Sequence, residues 1–154
     1  MSGERVAHSV IATNLIIELQ SHLRGGTCRA FPAGVRVHLK ADDDEIFYYP
    51  DLAVVCGPQE LDAKKLINPK LIVEILSPST ERIDRIEKAR NYRSIATLEE
   101  YVLVAQRIPC VTVQRRTDQW RSLIVNSPDS VAELRSIGLS LPLQRIYEGA
   151  LQRY

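Results

Sequence analysis

Glu74 stands inside Leu71-Ile72-Val73-Glu74-Ile75-Leu76, the one polar member of an otherwise aliphatic run. Pro69 precedes the run and Ser77-Pro78-Ser79-Thr80 follows it, so the stretch reads as a short strand buried on both faces. A carboxylate at its centre is desolvated at a cost of several kcal/mol unless something compensates it. A lysine or arginine, a hydrogen-bond network, a raised pKa or a metal ion would each serve. Asp51 opens a second apolar run, Leu52-Ala53-Val54-Val55-Cys56, just behind Pro50, which cannot donate to a ladder and so marks the strand's beginning. If the two strands are neighbours, both carboxylates converge on one divalent cation. Hard oxygen ligands suit magnesium or manganese, which keep several waters and accept a phosphate oxygen. A cation so held stabilises the charge of a phosphoryl transition state and lowers the pKa of an attacking water. Lys88, one helix further on, supplies a positive charge for the same phosphate or for the nucleophile. Taken singly, Glu74 reads equally as half of a buried salt bridge to an arginine, and Asp51 as a turn residue that starts a strand.

The elements that must position these groups follow from periodicity. Val6, Val10, Ile11, Leu15, Leu19 and Leu23 recur at three- and four-residue steps before Gly25-Gly26, which predicts a helix over 5–24. His8 falls at the edge of that apolar face and reads as a partly buried packing residue; His22, four residues after Glu18, reads as an exposed helix pair. Val35 to Lys40 alternates apolar and polar, Ala41-Asp42-Asp43-Asp44 reads as a solvated turn, and Glu45 to Tyr49 returns as a partner strand. Residues 59–70 are expected to be a loop with a short helical turn. The hydroxyls of 77–80 can cap a helix over about 80–96, on which Asp84, Lys88 and Tyr92 share one face and Ile83 and Ile86 form a thin apolar stripe. Its polar side carries Arg82, Arg85, Lys88, Arg90 and Arg93, the one concentrated basic patch. Tyr101 to Ala105 is a third buried strand, 110–114 and 120–125 form a hairpin, and a short helix is expected near 142–149.

Composition bounds the answer. The 154 residues are 45% hydrophobic and 25% charged, which fits one globular domain over 1–154. Twenty basic against nineteen acidic residues leave a charge of +1, so nucleic-acid binding would have to come from a local patch. Cys28, Cys56 and Cys110 are widely spaced without a CxxC, and are expected to be three reduced, buried thiols of a cytoplasmic protein. No apolar run reaches the length of a membrane span, and charged residues interrupt the first helix, so neither an anchor nor a signal peptide is expected. No Gly-x-Ser-x-Gly surrounds Ser77 or Ser79, and no phosphate-cradling glycine loop occurs.

The string Tyr49-Pro50-Asp51, then Pro69-x-Leu71-Ile72-Val73-Glu74-Ile75-Leu76-Ser77-Pro78-Ser79-Thr80, then Asp84, Lys88 and Tyr92, then Glu100-Tyr101, resembles the Uma-two family of restriction endonucleases, within the PD-(D/E)XK nuclease-like superfamily. The resemblance runs from His8 to about Tyr147. It implies an α/β (α+β) fold, a restriction-endonuclease-like mixed β-sheet core flanked by helices. It also implies Asp51 and Glu74 as metal-binding acids, the main-chain carbonyl of Ile75 as a third ligand, and Mg2+ or Mn2+ as cofactor. The superfamily's lysine two residues after the acid is here Leu76, and Lys88 is the position that replaces it. His8 matches a histidine of the family's first helix. Family members carry a further strand-like segment before the position of Ser2-Gly3, so an edge of the fold is expected to be absent. The implied activity is divalent-metal-dependent hydrolysis of DNA by a homodimer, catalysed with Asp51, Glu74 and Lys88. The competing readings are a non-catalytic nucleic-acid- or protein-binding module on the same fold, and an oligomeric interaction protein without a nucleic-acid partner.

Overall fold

The structure, a computed structural model, describes residues 5–151. The position at which the family's extra N-terminal segment would join, Ser2-Gly3, lies outside them. Helix α1 (Val6–Leu23) is followed by β1 (Cys28–Pro32), β2 (Arg36–Ala41), β3 (Asp44–Tyr48), β4 (Leu52–Cys56), β5 (Lys65–Leu66) and β6 (Pro69–Ile75). Helix α2 is a π-helical segment, Ile83–Lys88, running into an α-helical turn, Ala89–Tyr92. Strands β7 (Glu100–Val104), β8 (Val111–Arg115), β9 (Ser122–Val125), β10 (Val131–Leu134) and β11 (Leu139–Pro142) precede helix α3 (Leu143–Tyr147).

Six strands form the central sheet in the order β1-β4-β6-β7-β8-β9, with β6 and β7 parallel and the other neighbours antiparallel. Parallel neighbours need a crossover, and α2 is that crossover. The period of two along β6 separates its side chains cleanly. Leu71, Val73 and Ile75 join the core packed on α1, the β10–β11 hairpin and α3. Ile72 faces the other way, into a core with Val37 and Leu39 of β2, Leu66 of β5, and Ala89 and Tyr92 of α2. Glu74 shares the parity of Ile72 and so belongs to that second face. Each fully buried aliphatic of β6 contributes roughly 2 kcal/mol, so Leu71, Ile72, Val73 and Ile75 together offset the burial of one acid. Between β4 and β6 the register runs Leu52↔Val73, Ala53↔Ile72, Val54↔Leu71, then Val55↔Pro69, so a bulge leaves Lys70 out of the pairing.

The mixed sheet flanked by helices is as expected, and several local expectations are corrected. Cys28 and Cys56 are opposite one another on β1 and β4 and are joined by a disulfide, and Cys110 is half-buried, so the three reduced, buried thiols are not found. Cysteine spacing along the chain carried no sign of this, because sheet register brings the pair together. Residues 59–70 hold the short strand β5 rather than a helical turn, since Lys65 and Leu66 pair with β2. On α2, Ile83 and Ile86 are 47% and 64% exposed while Asp84 is 1% exposed. The thin apolar stripe is therefore turned to solvent, because a charged cluster occupies the space beneath the helix. His22 Nε2 lies 2.6 Å from the carbonyl of Ile137, and Glu18 pairs with Arg145 instead. Asp42 and Asp43 adopt positive φ at the hairpin tip, as a solvated turn requires. No helix among the described residues is long and apolar enough to cross a membrane.

Candidate active site

Asp51 immediately precedes β4, and continuing the Leu52↔Val73 register by one step sets it against Glu74 on β6. Its Oδ2 accepts a 2.7 Å hydrogen bond from the amide of Ile75, which stitches the mouth of one strand to the end of the next. On its other side, Oδ1 lies 3.2 Å from Nε2 of His8, a residue only 8% exposed on the first turns of α1. His8 is thus a polar partner of the site and not merely a packing residue. Its place on the helix gave its depth, but nothing in the spacing pointed to Asp51.

Glu74 is 3% exposed. Nζ of Lys88 stands 3.7 Å from its Oε2, and the Tyr92 hydroxyl donates to Oε1 over a long 3.3 Å. Lys88 is closer to Asp84, at 3.0 Å from Oδ1, one turn back on the same helix. The π-helical turn that carries Asp84 and Lys88 is a widened geometry often found at functional positions. Tyr48 adds its ring 5.5 Å from Nζ, and Tyr101 donates to the carbonyl of Asp84 at 2.8 Å. Tilted ring contacts from Tyr48 to Tyr92 and from Tyr92 to Tyr101 wall the cluster off from solvent.

The electrostatics follow from this enclosure. Burial pushes the Glu74 carboxyl well above its ordinary value, with Asp51 and Asp84 adding to the rise and Lys88 and Tyr92 only partly opposing it. Burial also raises Asp84 against the pull of Lys88. For Lys88, burial acts downward, but Glu74, Asp84 and Asp51 outweigh it and the ammonium stays protonated. Three carboxylates therefore share one lysine, with His8 beyond them. Asp84 is the site member whose role sequence reasoning did not see: its spacing from Lys88 was visible, its burial was not.

An excess of buried negative charge is a physical fit to a cation. Among the described residues no three His, Cys, Asp or Glu side chains are grouped to hold a metal. A site here would rest on the two carboxylates of Asp51 and Glu74, with main-chain oxygen and water completing the shell. That is the donor set magnesium accepts, since it keeps several waters and needs only one or two carboxylates.

The chain matches, over residues 1–144, the model of the Uma2 family, described as "Putative restriction endonuclease". The chain belongs to that family. The uncharacterized protein slr1290 of Synechocystis sp. (strain ATCC 27184 / PCC 6803 / Kazusa) is 34% identical over 151 residues, 97% of this chain and 78% of the relative. A second uncharacterized protein of the same organism, sll1609, is 29% identical over 109 residues, 69% of this chain and 60% of that protein. Among solved structures, the crystal structure of "a putative nuclease belonging to DUF820" from Anabaena variabilis ATCC 29413 superposes with a TM-score of 0.73 at 21% identity. The match covers 95% of this chain and 83% of that one. This Uma2 protein therefore has the nuclease-like fold expected of its sequence.

Proposed function

We propose that this Uma2 protein is a divalent-metal-dependent endonuclease that hydrolyses DNA phosphodiester bonds. The observation that carries the reading is the placing of Asp51 and Glu74 at the adjoining ends of β4 and β6, opposite one another one step beyond the Leu52↔Val73 pair, with Lys88 against Glu74. Asp51, Glu74 and the carbonyl of Ile75 would hold Mg2+ or Mn2+. When bound, such a cation supplies charge neutralisation at the scissile phosphate and a more acidic water. The protein's own groups have distinct parts. His8 and the Ile75 amide fix the orientation of Asp51. Lys88, kept protonated by its acidic neighbours, holds positive charge at the site, and the tyrosine wall excludes bulk water. Arg82, just ahead of α2, and Arg90 on it are exposed and offer contacts to the strand's phosphates. Cutting both strands of a duplex would need two such sites, and the homodimer belongs to this reading.

The test is calorimetric titration of magnesium and of manganese into wild type, Asp51→Ala and Glu74→Gln, beside cleavage of a labelled oligonucleotide. Binding and divalent-dependent cleavage by wild type, both lost in either variant, is the expected result. A wild type that binds no cation, even with DNA present, would end the nuclease reading in favour of a non-catalytic binding module.

A further inference from the structure

The acid pair is closed on one side and open on the other. Glu74 is covered by Tyr92, which is itself 0% exposed, and by Lys88. Asp51 keeps 18% of its side chain exposed, and it lines a cavity of about 310 Å3 between α1 and the end of β1. His8 and Asp51 form the polar end of this cavity, Ser9 and Thr13 one wall, and Pro32 and Ala33 the other. Ser9 and Thr13 are four residues apart on α1 and so stand on one face of it.

Size and chemistry together restrict what can enter. A volume of about 310 Å3 is at the lower end of the range of small-ligand sites. It accommodates one nucleotide unit. The walls combine apolar surface, from Pro32, Ala33 and the threonine methyl, with two hydroxyls, which matches the flat apolar faces and polar edges of a nucleobase and its sugar. A base reaches such a site only after leaving its stack, at a cost of a few kcal/mol that is smallest for single-stranded or mismatched DNA.

We propose that the cavity between α1 and β1 is a subsite for one unstacked nucleotide of a DNA strand, so that the protein prefers DNA that is single-stranded or frayed at the point of attack. The inference rests on the nuclease reading for its substrate, but its subsite can be tested without cleavage. Thr13 and Ala33 are both exposed and line the cavity from α1 and from the end of β1, so Thr13→Leu and Ala33→Leu narrow it without entering the core and without adding an aromatic face on which a base could stack.

The experiment is fluorescence anisotropy with a labelled single-stranded dodecamer and the same sequence as a blunt duplex, in EDTA so that nothing is cut. Manganese titration of each variant runs alongside. Wild type is expected to favour the single strand, and each leucine variant to lose about tenfold in single-strand affinity, the scale of one base contact, while binding manganese as wild type does. Loss of that affinity in a protein that binds no metal would support the subsite and reject the nuclease. Metal binding with equal affinity for both DNAs, unmoved by either variant, would reject the subsite and leave the nuclease standing. A wild type that binds no single strand overturns the inference.

Discussion

Glu74 on β6 and Glu100 on β7 are buried acids on adjacent strands of one sheet, 3% and 1% exposed, yet the protein treats them in opposite ways. Glu100 receives a 3.0 Å hydrogen bond from the Arg115 guanidinium to Oε2, a 3.2 Å bond from the Arg135 amide, and a 2.7 Å bond from the Ser136 amide to Oε1. Arg115 is itself buried and donates onward to the carbonyl of Glu133. Glu74 has a lysine at 3.7 Å that is closer to another acid, and one hydroxyl at 3.3 Å. The first arrangement satisfies a charge with aligned donors, which is how a buried ion pair serves structure. The second keeps an acid short of partners, its carboxyl raised by burial and by two more acids. Under-satisfied buried charge is unfavourable to the fold and useful to a site that recruits a cation.

Removing each acid should separate the two roles most sharply. Glu100→Ala leaves Arg115 buried without its partner and is expected to cost about 3–5 kcal/mol of stability, whereas Glu74→Gln should leave stability unchanged or raised. Urea denaturation at neutral pH of the two variants beside wild type measures this, and a costly Glu74→Gln would erase the contrast.

A smaller effect is expected from pH. For an acid raised in the folded state, the unfolded chain releases its proton first, so the contribution to stability is full below the ordinary value of 4.5 and is lost as pH rises through the folded value. Wild type should therefore lose stability relative to Glu74→Gln as pH climbs above 4.5. Asp84, raised in the same direction, is common to both proteins and cancels. Urea midpoints across that range give the difference, and parallel curves would place Glu74 with Glu100.

The smallest change is Tyr92→Phe. It removes the hydroxyl that favours the charged form of Glu74 and should alter stability by about 1 kcal/mol or less. In this background the divergence of wild type from Glu74→Gln should still begin near 4.5 but run to a higher pH and grow larger, because only the folded-state value rises, and the same denaturation series detects it.

What could be read from the chain was what a single strand or helix face carries by itself. The continuous apolar run around Glu74, the proline ahead of Asp51 and the alternation of Val35 to Lys40 each announce their elements locally. The meeting of the two acids was accessible because one family string spans both. The Cys28–Cys56 bridge was not, since β1 shows no clean alternation and only its pairing with β4 aligns the thiols. The β10–β11 hairpin was hidden among Pro128, Gly138 and Pro142. The orientation of α2 was misread because hydrophobicity was expected to choose the buried face. There, pairing of Asp84, Lys88 and Glu74 chooses it and leaves two isoleucines in water.

The bulge at Lys70 has a consequence for how this chain tolerates insertion and deletion. Side chains of a strand alternate faces, so one residue added between Leu71 and Glu74 would send the acid to the side of α1 and bring an aliphatic to Lys88. The same holds for one residue added between Asp51 and Val54. From Gly57 to Asn68 the chain is mostly loop, closed by its own pairing of β5 with β2, and extra residues there leave both acids on their faces. The interval between Asp51 and Glu74 is thus free in its middle and rigid at both ends, and a bulge that absorbs one unpaired residue marks where the freedom stops.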